Sequence, residues 1–171
     1  MSLIPLRGTA ETTDCEKTLG MRRGSRNFPA VYSIERAPYG LRLTFTGTMS
    51  FDEVERWGRD VAVALSELPK MFGVFVDMRG LVPLAPEAHG ALRQGQLYAR
   101  HLGMQRSVVI VDSAEVAEQF ERIAKETRIY AYERYIDALE VPNWEQMGID
   151  WIVDAIDPDV GRRAPRSDLS A

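Results

Sequence analysis

The chain has 171 residues, and its 21 basic and 25 acidic residues give a formal net charge of −4 at pH 7. With 45% hydrophobic and 27% charged residues, the composition is that of an ordinary globular domain, which excludes collagen-like, mucin-like and wholly disordered chains. The length excludes a large multidomain enzyme. The negative charge argues against general nucleic-acid binding, because that binding needs a positive surface to face the phosphates.

Cysteine content and the absence of targeting patterns indicate a cellular compartment. Cys15 is the only cysteine, so the chain can form neither an intrachain disulfide nor a multi-cysteine metal site. The N-terminus lacks the basic segment followed by an apolar segment that marks a secretory signal. No apolar run approaches the roughly 20 residues that a membrane-spanning helix needs. We therefore expect a cytoplasmic protein without a transmembrane segment.

Composition divides the chain into three segments. Residues 1–29 are polar, contain several glycines and show neither helical nor strand periodicity, which predicts a flexible leader. Residues 154–171 contain two prolines and a glycine and end in small polar residues, which predicts a flexible tail. The residues between them, 30–153, are numerous enough to bury one hydrophobic core and form the predicted domain.

Hydrophobic periodicity divides this domain into nine elements, since alternating or continuous apolar runs indicate strands and apolar residues at helical spacing indicate helices. Pairs of polar residues three apart mark three helix starts, namely Ser50 with Glu53, Asp112 with Glu115, and Asn143 with Gln146. The predicted elements are strands at 31–36 and 41–46, a helix after Ser50, a strand at 72–76, a helix from Pro86 to Gly103, a strand at 108–111, a helix after Asp112, a strand at 129–132 and a helix after Asn143.

The order β-β-α-β-α-β-α-β-α predicts an α/β fold. Alternating strands and helices favour a mostly parallel sheet with right-handed crossovers and with helices on its faces. The short turn at 38–40 predicts that the first two strands form an antiparallel hairpin. The strands at 72–76 and 108–111 lack polar alternation, so we expect them inside the sheet.

Four segments of the domain carry a family resemblance. They are Gly73–Asp77 followed by Met78–Gly80, Arg106–Ser113 before a helix with Phe120, Tyr132–Tyr135, and a closing helix with Trp144 and Trp151. In these segments and in its element order, the chain resembles the STAS superfamily over about residues 30–153. That superfamily includes bacterial anti-sigma-factor antagonists and domains grouped with CRAL-TRIO lipid-transfer domains. The resemblance implies a STAS-like regulatory module that acts through protein–protein contacts.

One departure from the family pattern affects this expectation. Anti-sigma-factor antagonists carry a phosphorylatable serine at the start of the second helix, which corresponds to residues 84–87 of this chain. No serine or threonine lies between Asp77 and Arg106. A kinase would find no hydroxyl to modify there. The sequence therefore predicts an interaction module without the serine phospho-switch.

Motifs for catalysis and cofactor binding are missing. His89 and His101 are 12 residues apart on one predicted helix, about 18 Å along its axis, and cannot share a metal ion. The chain contains no Gly-x-Ser-x-Gly elbow, no phosphate-binding loop of the Gly-x-x-x-x-Gly-Lys-Ser/Thr type and no Gly-x-Gly-x-x-Gly turn. We predict no catalytic residue, no metal and no cofactor, and hence no enzyme.

The segment 79–86 is the most informative local feature, because it combines large aliphatic residues with two prolines after a buried strand. Exposed aliphatic residues on a stiff loop suggest a contact surface, and ligand sites of α/β sheets form beyond the carboxyl ends of strands. The predicted partner-binding residues are Arg79, Leu81, Leu84, Pro86, Glu87 and His89. In the alternative, Leu81 and Leu84 fold back as a lid on the core.

A second function follows from two tryptophans. Trp144 and Trp151 are seven apart and share one face of the last predicted helix. They either pack on the sheet or line an apolar pocket. Together with the CRAL-TRIO side of the resemblance, the pocket alternative predicts a small apolar or lipid ligand held between the sheet and the helices.

Overall fold

The computed structural model describes residues 31–159, which form five strands and four α-helices. Cys15 and the predicted leader lie outside these residues, as does the part of the predicted tail after residue 159. The strands are β1 (Tyr32–Ala37), β2 (Gly40–Phe45), β3 (Phe72–Asp77), β4 (Met104–Val111) and β5 (Glu133–Asp137). The helices are α1 (Phe51–Ser66), α2 (His89–Leu102), α3 (Ala114–Glu126) and α4 (Trp144–Asp154), and two 3₁₀ turns cover Pro86–Ala88 and Ile129–Tyr132.

The five strands form one sheet whose spatial order, β1-β2-β3-β4-β5, is their order along the chain. β1 and β2 are antiparallel, and every later pair is parallel. This confirms the predicted α/β fold with its N-terminal hairpin. Each of the three crossovers moves one strand in the same direction, so crossovers of the same hand place α1, α2 and α3 on the same face.

Two hydrophobic clusters, one on each face of the sheet, make up the core. On one face, the apolar residues of β2, β3 and β4 pack against α1, α2 and α3. On the other face, Phe75, Val108 and Ile110 pack against Trp151 and Ile152 of α4. Since both faces of β3 and β4 are covered, their side chains are almost all buried, as their apolar sequences predict.

The first predicted capping pair is confirmed, the cap of α3 lies one residue later than predicted, and α4 begins after Asn143 as predicted. Ser50 and Glu53 form a capping box in which the Ser50 N–H donates to the Glu53 carboxylate at 2.7 Å. At α3 the cap is Ser113, because the carboxylate of Asp112 accepts the backbone N–H of Gly80 instead. At α4 the side chain of Asn143 makes no capping hydrogen bond.

The predicted strand at 129–132 was wrong, since these residues form a 3₁₀ turn and the strand begins at Glu133. Arg128 has a φ of 62°, which is not helical, so the chain turns away from α3 at this residue. Ile129 then packs into the core, and the backbone continues into β5, which pairs with β4. The aromatic residues of this segment alternate with other residues as they would in a strand. In the structure, the segment forms the turn that connects α3 to β5.

The start of the predicted tail, at residue 154, contacts the domain. Asp154 ends α4. The guanidinium of Arg134 on β5 donates to both carboxylate oxygens of Asp157 at 2.9 and 2.7 Å. This ion pair holds the residues that follow α4 against β5.

Candidate functional site

A cavity of about 70 Å³ lies inside the domain between the sheet and helices α1, α2 and α3. We call it the sheet–helix cavity. Its walls are mainly apolar, with Leu43, Val76 and Val109 from the sheet and Leu92 and Phe120 from the helices. At about 30 Å³ for each water in the liquid, it has room for roughly two water molecules. The cavity has about half the volume of an engineered apolar cavity of about 150 Å³ that binds benzene or xenon, so it suits a molecule smaller than benzene.

The polar residues that line the sheet–helix cavity include Gln96, Ser107 and Glu133, of which Glu133 is the ionisable one. Glu133 is 4% exposed and is paired in register with Ser107 of β4. The Ser107 hydroxyl donates to one carboxyl oxygen at 2.7 Å, and the Tyr135 hydroxyl donates to the other at 2.6 Å. Burial raises the pKa of Glu133 above its ordinary value, although both hydrogen bonds act to lower it.

Trp57 of α1 contributes the other buried polar atom of interest. The residue is 6% exposed and lines the sheet–helix cavity, and its ring meets that of Phe45 edge-on at 5.4 Å. Its indole N–H is buried and has no hydrogen-bond partner within residues 31–159. A buried donor without an acceptor costs about 1–3 kcal/mol.

A surface groove between α1 and α2 lies next to the cavity. The groove has a volume of about 580 Å³, and both Val61 and Gly95 line the groove as well as the cavity. A Cβ atom at Gly95 would lie 3.1 Å from Cη2 of Trp57, closer than ordinary van der Waals contact. The missing side chain thus makes room for the indole ring.

The segment after β3 does not present its leucines to solvent. Leu81 and Leu84 are 4% and 5% exposed and belong to the core, as the lid alternative predicts. The side-chain amide of Gln119 holds the backbone of Leu84 at both its N–H and its carbonyl, at 2.9 and 2.8 Å. The exposed aliphatic residue of this loop is Val82, at 45%. Because Gln119 holds the backbone of this loop at Leu84, Val82 is kept at the surface.

The remaining predicted partner-binding residues lie in different environments. Pro86 and Glu87 are exposed in the 3₁₀ turn before α2. His89 is half-buried at the start of α2, and its Nε2 atom is buried without a hydrogen-bond partner in the described part of the chain.

Arg79 links the loop after β3 to helix α4, two segments that are far apart in the sequence. Its Nε and Nη2 atoms donate to the two carboxylate oxygens of Asp77 at 2.9 and 2.8 Å. Its Cζ atom lies 4.0 Å from the centre of the Trp144 ring. The guanidinium is therefore bound on its edge and covered on one face, so it ties the loop to α4, while the side chain remains 42% exposed.

The two tryptophans of α4 pack on the sheet face opposite the sheet–helix cavity. Trp151 is buried, its indole N–H donates to the Ser107 carbonyl at 2.9 Å, and Arg134 lies 4.3 Å from its ring centre. Trp144 contacts Phe75 with ring centres 6.3 Å apart. Of the two alternatives for this pair, packing on the sheet is the one that the structure shows. The cavity is lined by a different tryptophan, Trp57.

Comparison of the chain with known protein families, curated proteins and solved structures gives no match. Within residues 31–159, no helix combines the length and apolar character needed to cross a bilayer. Over the same residues, no three side chains of the His, Cys, Asp or Glu type are grouped so that they could hold a metal ion. The fold and the site define an α/β domain with a mainly apolar cavity between its sheet and helices α1, α2 and α3.

Proposed function

We propose that the protein is a cytoplasmic, non-enzymatic binding module whose sheet–helix cavity holds a small apolar ligand. The observation that carries the proposal is the cavity itself, because native cores are packed to high density and contain few voids larger than a water molecule. The resemblance to a superfamily that includes lipid-transfer domains supports the same proposal. At about 70 Å³, the cavity fits a molecule much smaller than a lipid unless α1 and α2 separate.

Xenon, a small apolar probe, is expected to enter the cavity. Its binding should shift the methyl NMR signals of Leu92 and Val109, which line the cavity from opposite sides. Ala99→Leu should fill part of the cavity and weaken xenon binding by about tenfold, since Ala99 also lines it. Ala114→Leu on the exposed start of α3 is the matched control and should leave binding unchanged. Equal binding by both variants would contradict the proposal.

The ligand carried in the cell can be sought separately. The protein, purified without detergent, is analysed by native mass spectrometry and by solvent extraction. A bound small molecule that is lost in Ala99→Leu and retained in Ala114→Leu supports the proposed function.

A second candidate function, a protein contact at residues 79–89, is favoured by the exposure of Val82 on a loop whose backbone is fixed by Gln119 and Asp112. A photo-crosslinking residue at position 82 should capture a specific partner, and Val82→Asp should weaken that partner's binding by at least tenfold. Val63 on α1 is also exposed and provides the matched control, Val63→Asp. Equal effects at positions 82 and 63 would count against this surface.

A further inference from the structure

We infer that the outer edge of β1 binds β1 of a second copy of this chain in antiparallel orientation, which joins the two sheets into one. The partner is a second copy because this edge is complementary to itself in the one register that pairs all of its free backbone groups. This interface is separate from the sheet–helix cavity and adds a partner to the proposed function.

β1 is an edge strand of the sheet. It pairs with β2 along one side, and no strand in residues 31–159 pairs with its other side. Common protections of an exposed edge strand are proline, lysine and a bulge. Residues 32–37 contain neither proline nor lysine, and their register with β2 is regular. At the opposite edge of the sheet, the ion pair of Arg134 and Asp157 holds the residues after α4 against β5. In the described part of the chain, β1 is therefore the edge available to a further strand.

The hydrogen-bond pattern of the hairpin decides which backbone groups of β1 point outward. The Thr46 N–H donates to the Val31 carbonyl at 2.9 Å, so Val31 and every second residue after it direct their backbone groups toward β2. The N–H and C=O groups of Tyr32, Ile34 and Arg36 therefore face away from the sheet. An antiparallel second copy pairs all of these groups when Ile34 lies opposite the partner's Ile34 and Tyr32 lies opposite the partner's Arg36. A shift of two residues in either direction leaves an end residue without a partner in the other β1.

The same register places complementary side chains opposite each other. Ser33 lies opposite the partner's Glu35, where a hydroxyl donor meets a carboxylate acceptor. On the helix side of the sheet, the partner's Arg36 lies opposite Tyr32, whose hydroxyl donates to Asp60 of α1 at 2.6 Å. A guanidinium at that place meets an aromatic ring and a carboxylate, and both attract it. The register centred on Glu35 would instead bring two carboxylates together. Charge complementarity thus favours the register that the backbone groups select.

A groove along this edge gives the second copy room to approach. It has a volume of about 410 Å³ and lies between β1 and α1, where Ile34, Asp60 and Glu67 are among the residues that line it. Ile34 is half-buried, and the partner's Ile34 would cover its remaining apolar surface at the two-fold axis. Because one strand and one groove make a small interface, we expect a weak dimer with a dissociation constant of about 1–100 μM.

Sedimentation velocity of the 171-residue chain, measured from about 5 to about 500 μM, tests for the dimer. We expect self-association that Ile34→Pro weakens at least tenfold. Proline removes the outward N–H of residue 34 and leaves the hydrogen bonds between β1 and β2 in place. Ile34→Val keeps this N–H and is the matched control, and far-ultraviolet circular dichroism shows whether each variant is folded. A monomer at every concentration, or a dimer that folded Ile34→Pro leaves unchanged, overturns the inference.

Cysteine crosslinking tests the register and does not depend on how Ile34→Pro folds. The background is Cys15→Ser, which removes the one native cysteine. Ile34→Cys should give a disulfide-linked dimer under mild oxidation, because the two Cα atoms of a hydrogen-bonded pair lie about 5.5 Å apart. Tyr32→Cys and Arg36→Cys are the controls. Each lies about 13 Å along the strand from its own counterpart, so neither should crosslink alone, but a mixture of the two proteins should. No crosslink from Ile34→Cys, or equally fast crosslinking by either control alone, contradicts the proposed interface.

Discussion

Replacing Gly103 with alanine is expected to lower the free energy of unfolding by about 3–5 kcal/mol. Gly103 ends α2 with φ 113°, a conformation that side chains with a Cβ rarely adopt and that costs about 1–2 kcal/mol for other residues. A Cβ atom there would lie 1.9 Å from the carbonyl oxygen of Lys70. Because that neighbour is backbone, the start of β3 or of β4 must move to relieve the overlap.

Urea denaturation followed by far-ultraviolet circular dichroism measures this loss. The matched control is Gly58→Ala in the middle of α1, where no atom lies within 4 Å of a Cβ position. That variant should gain up to about 1 kcal/mol, because alanine favours the helix. Similar unfolding midpoints for the two variants would show that the tight approach of Lys70 and Gly103 does not limit the fold.

Replacing Glu133 with glutamine is expected to remove a pH-dependent loss of stability. Burial raises the pKa of Glu133 in the folded state, so its stabilising contribution is present below the unfolded pKa and is lost as the pH rises through the folded pKa. Glutamine imitates the protonated acid and does not titrate. The two proteins should be similarly stable near pH 4, and the glutamine variant should be more stable by about 1–3 kcal/mol at pH 8.

The measurement is the difference in unfolding free energy between the wild type and Glu133→Gln across this pH range. Taking the difference cancels titrations that both proteins share. Glu118→Gln on the exposed surface of α3 serves as the control and should show almost no change with pH. A pH-independent gap between Glu133→Gln and the wild type would mean that the buried carboxyl group does not become ionised in this range.

The fold could be predicted from the sequence because its strands and helices have distinct hydrophobic periods. The continuous apolar run of β3 identified an internal strand, and the Ser50–Glu53 spacing identified the start of α1. The position of the last strand could not be read in this way. Tyr130 and Tyr132 alternate with other residues as in a strand, but tertiary packing places them in a 3₁₀ turn.

The candidate site was less accessible from the sequence. A cavity depends on how side chains from seven elements fit together, and Trp57 and Leu92 have the same helical spacing whether they fill the core or border a space. For Glu133, the face of the sheet on which the side chain lies follows from strand alternation. With β5 beginning at Glu133, alternation places this residue on the same sheet face as Tyr135, toward the helices.

Whether the loop leucines are buried or exposed depends on one long-range contact. An aliphatic loop fits either a contact surface or a lid, and the sequence around Leu84 does not distinguish them. The choice is made by Gln119, 35 residues away, whose amide binds both backbone groups of Leu84. Such a pairing follows from the packing of α3 beside the loop and has no local pattern.

The match between strand order and chain order also bears on how the protein folds. Each strand after the hairpin pairs with the strand made just before it, so the sheet can grow from β1 outward as the chain leaves the ribosome, without waiting for a distant partner. Helices α1 to α3 each cover the sheet during this growth. The apolar face with Phe75 and Val108 has to wait for α4, which follows all five strands in the described part of the chain. Until then, that face is the surface of the nascent chain most exposed to aggregation.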